Sequence, residues 1–509
     1  MLGSLARVGS LARPALAGAL VALVGGCTVG PDFARPAPPT VDGYTAEPLP
    51  DKTAAAAVSA GEAQHFARDL DIPGEWWTLF HSAELDRLIA KAFAANPNLG
   101  AAQAALRQAR ENVYAGEGAW FPTVSASTSA TQERVSGAAF GIPGSSTLGV
   151  TTAALNVAFN PDVFGGVRRQ VESLQAQQDY QRFQLEATYL SLTANLVVAA
   201  ITEASLRAQI AATEDIVTIE SDQLRVLQSQ FELGGQSKVA VLAQAATLAQ
   251  TRATLPPLQK QLAQQRNQIA ALIGGFPSQD QSEPFHLADL QLPTDLPVSL
   301  PSQLIEQRPD VRAAEAQLHS ASANIGVALA NELPQFSITG SVGSTSLGFD
   351  KLFSPGSLVW SIAGSAAQTL FDGGILLHRE RAAVAAFDQS AEQYRATVIA
   401  AVQNVADALR ALQSDADAVS AQATAVQTAL DSLEISRGQF RAGAITYLSL
   451  LTAQQTYQAA RVSLAQAQGN RYADTAALFQ ALGGGWWHRT DVAPPTQGPD
   501  RLPLPLPTK

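Results

Sequence analysis

Residues 185–231 read LEATYLSLTANLVVAAITEASLRAQIAATEDIVTIESDQLRVLQSQF, a run without Pro or Gly. Sampled from Leu185 at alternating steps of four and three, the run gives a stripe of fourteen positions, eleven of them apolar or aromatic. The exceptions are Glu203, Thr213 and Glu220. A heptad stripe of this kind predicts a helix that supercoils against neighbouring helices. The flanks stay helical back to about residue 167, so the helix would be about 100 Å long, too long for a compact globular domain.

The same stripe recurs 209 residues later, from Tyr394 to Phe440, without a break in register. Each copy ends at a glycine suited to stopping a helix, Gly234 or Gly443, and a Ser or Thr suited to capping a new helix follows. Return helices are predicted at about 238–273 and 447–482. Each copy is therefore predicted to be a long antiparallel helical hairpin, with tips at 231–238 and 440–447. A fibrous coiled coil is the alternative, and the strand-like sequence between the hairpins disfavours it.

Two strand-like segments precede each hairpin. They lie at about 123–134 and 148–159 in the first copy and at about 336–344 and 357–371 in the second. In each strand one face is apolar and the other small and polar, and each has the length of a tilted membrane-spanning β-strand. An ordinary soluble sheet is the alternative. The segment NPNLGAAQAAL at 96–106 aligns with RPDVRAAEAQL at 308–318, so each half is predicted to run helix, strand, loop, strand, long helix, return helix.

Four strands cannot close a barrel in lipid, where unpaired strand edges are excluded. The chain is therefore predicted to oligomerise, with strands and helices contributed by several copies. Three copies would supply about twelve strands and twelve long helices, within the known range of membrane barrels.

The single cysteine is Cys27, and it follows Arg7, Arg13 and an apolar run that ends in two glycines. This pattern predicts a lipoprotein signal peptide at 1–26 and lipidation of Cys27, which would give stable membrane attachment. A buried free thiol is the alternative. Lipoproteins that stay in the inner membrane usually carry Asp directly after the lipidated cysteine. This chain has Thr28 at that position, which points to the outer membrane.

The remaining segments are predicted from their composition. Residues 27–72 are expected to form a lipidated, extended and poorly packed arm. Residues 73–275 and 301–485 are the two repeats, 276–300 is a connector of the equatorial region, and 486–509 is a Pro-rich tail. Pro256 and Pro257 predict a kink or restart of the first return helix, with Thr254 as its cap.

The composition argues against several functions. A net charge of −11 and the lack of a basic cluster disfavour nucleic-acid binding. The six histidines show no metal-ligand spacing, and no phosphate loop, nucleophile elbow or paired-cysteine motif occurs. The sequence therefore predicts neither an enzyme nor a cofactor site.

Several motifs occur in an order that resembles the TolC-type outer-membrane factors of tripartite efflux pumps, in their lipidated branch. These motifs are CTVGPDF at 27–33, RPDVRAAE at 308–315, LFDGG at 370–374, FRAG at 440–443, YLSLL at 447–451 and ALGGGW at 481–486. The resemblance implies a mainly helical fold with membrane β-strands: a trimeric twelve-stranded β-barrel continuous with a twelve-helix coiled-coil periplasmic tunnel. It implies passive export of small molecules such as drugs or toxic compounds. It also implies a periplasmic adaptor and an inner-membrane RND-type transporter as partners, and a lipid-anchored position in the cell outer membrane.

The resemblance also implies that the hairpin tips close the periplasmic end and meet the adaptor. Leu448 matches a constricting apolar position, whereas Thr452 stands where the family often has an aspartate. We therefore expect an apolar constriction rather than an acidic ring. The expected constriction and tip residues are Phe440, Gly443, Tyr447, Leu448, Thr452 and Val239, and the expected adaptor contacts are Phe231, Gly234, Arg441 and Gly443. The alternative is that Leu448 and Val239 simply pack the hairpin.

Two other functions compete with this one. A periplasmic adaptor lipoprotein also carries a helical hairpin, although usually only one and without strands of barrel length. A channel of type I protein secretion would share the fold and differ in its cargo.

Overall fold

The structure is a computed structural model that describes residues 28–489, except 42, 69, 137, 139, 140, 142 and 281. The predicted signal peptide at 1–26, Cys27 and the tail from residue 490 onward lie outside the described residues. The chain forms two compact units, and each takes segments from both repeats. The first comprises the described residues up to Pro36 together with Ala104–Arg182 and Ala313–Arg395. The second comprises Ala37–Gln103, Phe183–Arg312 and the described residues from Ala396 onward.

Six strands and eight α-helices make up the described chain. In order they are β1 His65–Ala67, α1 Ala83–Ala95, α2 Pro97–Glu117, β2 Thr123–Ser136, β3 Ser145–Phe159, α3 Gly166–Glu232, α4 Lys238–Leu272, β4 Asp295–Pro297, α5 Pro301–Gln307, α6 Pro309–Glu332, β5 Gln335–Ser346, β6 Leu358–Ala367, α7 Ile375–Arg441 and α8 Tyr447–Ala481. The two long helices of the stripe, α3 and α7, each have 67 residues.

The turns at both tips follow from local sequence. Gly234 and Gly443 adopt left-handed conformations with φ of 78° and 74°, which only glycine reaches without strain. The side chain of Ser237 accepts a hydrogen bond from the amide of Ala240, and that of Thr446 accepts one from the amide of Ser449. These N-caps satisfy amides that would otherwise lack a partner at the start of α4 and α8.

In the first unit the strands form an antiparallel sheet in the order β2-β3-β5-β6. Strands β2, β3 and β5 are longer than the predicted segments, whereas β6 ends at Ala367 instead of about 371. The early end has a local cause, because Asp372 caps α7. Its carboxylate accepts hydrogen bonds from the amides of Gly374 and Leu376, both at 2.8 Å, so the chain must leave the sheet before this residue.

The beginning of the arm, predicted to be poorly packed, is bound to α3 and α6 in the first unit. The side chain of Arg169 donates to the carbonyl oxygens of Val29 at 3.1 Å and Gly30 at 3.3 Å, and to Asp32 at 2.7 Å. A Cβ atom at Gly30 would lie 2.4 Å from the Cα of Gly326, so the backbones touch. Composition predicts an extended, poorly packed arm, but these contacts join residues far apart in sequence.

Further contacts continue this attachment. The ring of Phe33 stacks on His319 at 4.3 Å between centroids, and Arg35 pairs with Glu315 at 2.7 Å. His319 in turn contacts Glu172 of α3 at 2.9 Å. Residues 28–36 therefore bridge α3 of the first repeat and α6 of the second.

In the second unit the later part of the arm packs on α8 through Arg471. Arg471 is fully buried and donates to the carbonyl oxygens of Ala60 at 2.7 Å and Glu62 at 2.6 Å, and to the hydroxyl of Thr53 at 3.0 Å. Strand β1 of the arm pairs in parallel with β4 of the connector. The connector is itself packed, with Leu287, Leu290, Leu292 and Leu296 all buried. Arm and connector are thus part of the fold.

The predicted restart of the first return helix does not occur. Helix α4 continues through Pro256 and Pro257, and the hydroxyl of Thr254 donates to the carbonyl of Thr251 at 2.7 Å rather than capping a new helix. The two prolines remove amide donors, so the carbonyl groups four residues earlier lose their helical hydrogen-bond partners.

Candidate channel constriction at the hairpin tips

Near the tips the two hairpins of one chain share an apolar cluster. It consists of Leu227 of α3, Leu433 of α7, and Tyr447, Leu450 and Leu451 of α8, all buried. Each buried leucine contributes about 1.5–3 kcal/mol relative to an exposed one. The cluster therefore fixes the tips against each other within one protomer.

Tyr447 lies inside this cluster and not on the surface expected for a constriction residue. Its side chain is 6% exposed, its ring contacts Phe440 edge-on at 5.7 Å, and its hydroxyl donates to Gln244 of α4. Burial raises the pKa of Tyr447, and the negative charge of Glu220 acts in the same direction. Tyr447 thus stabilises the tip from within.

Leu448 and Val239 are the exposed pair of the tips. Leu448 is 65% exposed and Val239 is 75% exposed, and they occupy equivalent positions at the repeat distance of 209 residues. Both side chains are thus largely exposed in the single chain, and the expected constriction at these residues stays a prediction. Thr452 is also exposed, and its hydroxyl bonds to the carbonyl of Leu448 at 3.0 Å. It provides no negative charge on this face.

The residues expected to meet an adaptor are all at the surface. Phe231 is 43% exposed, and Gly234, Arg441 and Gly443 are exposed in the two turns. The sequence prediction missed Leu233, the most exposed leucine of the tips at 88%. Its signal was available, because a leucine directly before a helix-stopping glycine has little helix left to pack against.

The sheet has two chemically distinct faces. Large apolar side chains are exposed on one of them: Val124, Leu155, Val342, Trp360 and Ile362. On the other face, a row across all four strands consists of Ser125, Asn156, Ser341 and Ser361. The hydroxyls of Ser341 and Ser361 lie 2.8 Å apart. In these four described strands the only ionisable side chains are Glu133 and Arg134.

A pair of carboxyl groups joins α7 and α8 in the second unit. Burial and the adjacent Asp474 together raise the pKa of Asp415 to about 7, while the charge of Arg471 opposes the shift. This pair loses stability as the pH rises through about 7, because the folded protein holds Asp415 as a neutral acid. Among the described residues, no group of three or more His, Cys, Asp or Glu side chains is arranged to hold a metal ion.

The sequence profile of the family described as "Outer membrane efflux protein" matches residues 88–275 and 300–484. The chain belongs to this family. Among its relatives, Probable efflux pump outer membrane protein TtgC of Pseudomonas putida is 28% identical over 475 residues, which cover 92% of this chain and 95% of that protein. Cation efflux system protein CusC of Escherichia coli is 28% identical over 478 residues, which cover 91% and 96%. The solved structure of the outer-membrane channel OprN matches with a TM-score of 0.81 at 26% identity, over 90% of this chain and all of that one.

These matches confirm the resemblance to TolC-type outer-membrane factors and the predicted function as an outer-membrane efflux protein. The fold is that of the outer-membrane efflux channels and is mainly helical. The family consists of channel-forming proteins and not of enzymes. Membership in it disfavours the periplasmic-adaptor interpretation.

Proposed function

We propose that this outer membrane efflux protein is the exit channel of a tripartite pump. It receives small molecules from an inner-membrane RND-type transporter through a periplasmic adaptor and passes them passively to the outside. The observation that supports this proposal most directly is the pair of tips. One buried apolar cluster holds both tips, and their surface presents Phe231 and Val239 in the first repeat and Leu448 in the second. Relatives named as efflux pump proteins favour small molecules over secreted proteins as cargo.

We also propose that three copies form the channel. The four-stranded sheet leaves one edge of β2 and one edge of β6 unpaired, and such edges are excluded from lipid unless another chain pairs with them. Three sheets would close a twelve-stranded barrel with the face of Val124 and Trp360 toward lipid and the face of Asn156 and Ser341 toward water. Cys27 would add a lipid anchor beside Thr28, whose hydroxyl accepts a bond from Arg168 at 3.2 Å.

The constriction is testable at Leu448. In a trimer, three Leu448 side chains and three Val239 side chains would narrow the bore without charge. Replacing Leu448 with Ala removes apolar bulk from an exposed position, so the fold should be retained while the single-channel conductance in planar bilayers rises severalfold. Exposed apolar side chains contribute little to stability, which separates this effect from unfolding.

The matched control is Ile435→Ala on α7, where the side chain is 62% exposed but lies before the turn. Its conductance should equal that of the wild-type channel. An unchanged conductance for Leu448→Ala would reject the constriction at this residue.

A further inference from the structure

Glu220 is a buried carboxylate near the tip end of α3. It occupies a stripe position of α3, its side chain is fully buried, and neither carboxylate oxygen has a hydrogen-bond partner among the described residues. Burying an ionised carboxylate without a partner is strongly unfavourable. Such a group therefore becomes protonated, or the surrounding structure rearranges to expose it to water. Burial accordingly raises the pKa of Glu220.

Glu203, earlier in the same stripe, shows how this chain satisfies a buried carboxylate. Glu203 is 1% exposed, and it accepts bonds from Arg207 at 2.8 and 2.7 Å. A second guanidinium, that of Arg266, lies 3.7 Å away. At the position of Glu220, the second repeat has Ala429, which is also buried. A carboxylate is therefore not needed to fill this space, and the absence of a cation distinguishes Glu220 from Glu203.

The side chains around Glu220 come from α4 and α8 and are uncharged. Thr251 of α4 and Gln458 of α8 approach the carboxyl group and lower its pKa, but the effect of burial outweighs theirs. Gln244 of α4 donates to the backbone carbonyl of Glu220 at 3.0 Å and accepts from Tyr447. Gln454 of α8 is 2% exposed, and neither of its amide atoms has a partner among the described residues. A polar and incompletely bonded core thus lies where α8 meets the first hairpin.

The ionisable groups nearby do not neutralise Glu220. Tyr447 faces it from α8, where its charge would repel that of the carboxylate. On α4, Arg252 donates to the hydroxyl of Ser221 at 3.2 Å, and on α8, Arg461 pairs with Asp215 at 3.2 Å. Within the described part of α7, no charged side chain is bonded to Glu220.

We propose that Glu220 is a protonation-dependent latch that holds α8 against α3 and α4. With a neutral carboxyl group the polar core stays packed. When the carboxyl group of Glu220 loses its proton, the resulting carboxylate must be hydrated. Water reaches the carboxylate when α8 separates from the first hairpin. Because α8 begins at the tip that carries Leu448, this separation also widens the proposed constriction. The conductance outcome therefore rests on the proposed channel function, whereas the stability outcome does not.

The direction of the pH dependence follows from the raised pKa. The stability associated with neutral Glu220 is fully present below the ordinary pKa of a glutamate and is lost as the pH rises through the higher pKa of the folded protein. Glu220→Gln keeps the size of the side chain but cannot ionise. Between pH of about 5 and about 8, the thermal midpoint of the detergent-purified wild-type protein should fall by about 3 °C more than that of Glu220→Gln. The wild-type conductance should rise with pH, and that of Glu220→Gln should rise less.

Two controls isolate the effect. Glu214→Gln changes an exposed glutamate of the same helix and should reproduce the wild-type profile. Asp415 adds a pH dependence of the same sign, so the comparison is repeated in an Asp415→Asn background, where the difference due to Glu220→Gln should persist. Superimposable thermal profiles for wild type and Glu220→Gln would overturn the latch. Different thermal profiles with identical conductance profiles would overturn its link to the constriction. Absence of conductance in every variant would instead reject the channel itself.

Discussion

Arg471→Met should produce the largest loss of stability of any single substitution considered for this chain. The guanidinium of Arg471 is fully buried and is the shared donor for the backbone of the arm at Ala60 and Glu62. Methionine preserves much of the volume but leaves at least two buried carbonyl oxygens without a donor. Each orphaned acceptor costs about 1–3 kcal/mol, so we expect a loss of roughly 3–5 kcal/mol in the free energy of unfolding. Thermal denaturation in detergent, followed by circular dichroism, measures this loss.

The same substitution should also change the titration of the neighbouring carboxyl pair. The charge of Arg471 holds the pKa of Asp415 down against burial and Asp474. Without that charge the pKa should rise above about 7, and the loss of stability with rising pH should begin at a higher pH. A substitution that only disturbed packing would not change the pH at which this loss of stability begins.

Arg410→Met is the matched control. Arg410 also joins the arm to a long helix, through Glu47 at 3.0 Å, but the two side chains are 42% and 81% exposed. An exposed ion pair contributes about 0–1 kcal/mol, so this variant should unfold close to the wild-type midpoint. Equal midpoints for the Arg410 and Arg471 variants would show that burial of Arg471 does not matter as argued.

The elements that the sequence predicted well are those whose cause is local. Gly234 and Gly443 set the ends of the long helices because a left-handed residue is needed there, and Ser237 and Thr446 start the return helices through their own side chains. The long helices α3 and α7 are likewise predicted by the heptad period of the stripe alone. These signals lie within a few residues of the structure that they determine.

The features that sequence patterns did not predict depend on contacts between distant residues. The Pro- and Ala-rich composition of the arm is typical of a linker. In the structure Arg169 and Arg471 bind its carbonyl oxygens, and no sequence periodicity relates those arginines to the arm. Glu203 and Glu220 both occupy positions of the stripe, so the sequence pattern does not distinguish them. In the structure, two arginines approach Glu203, and among the described residues none is bonded to Glu220. Tyr447 lies at the start of α8 but inside the tip cluster, because the packing of neighbouring helices decides whether a residue at this position points inward or outward.

Arg169→Met should release the beginning of the arm from α3 and α6. The side chain of Arg169 is 5% exposed and is bonded at once to the arm backbone, to Asp32 and to Glu172 at 2.7 Å. Its loss leaves two carbonyl oxygens of the arm without a donor and Glu172 without one of its partners. We expect the free energy of local opening to fall by about 3 kcal/mol. This change corresponds to roughly a hundredfold higher population of the released arm.

Chymotrypsin provides the measurement, because cleavage after Phe33 requires that its ring leave the stack on His319. When opening is faster than cleavage, the rate follows the population of the released arm, so Arg169→Met should be cut roughly a hundredfold faster than wild type, as followed by mass spectrometry. Arg168→Met is the neighbouring control. The side chain of Arg168 is 46% exposed and lies 4.0 Å from Asp162, and its one bond to the arm, to the hydroxyl of Thr28 at 3.2 Å, is also exposed. Because an exposed bond contributes little, its loss should leave the cleavage rate within a few-fold of wild type. Equal rates for both variants would mean that the arm is held by Phe33, Arg35 and the Gly30–Gly326 contact without need of Arg169.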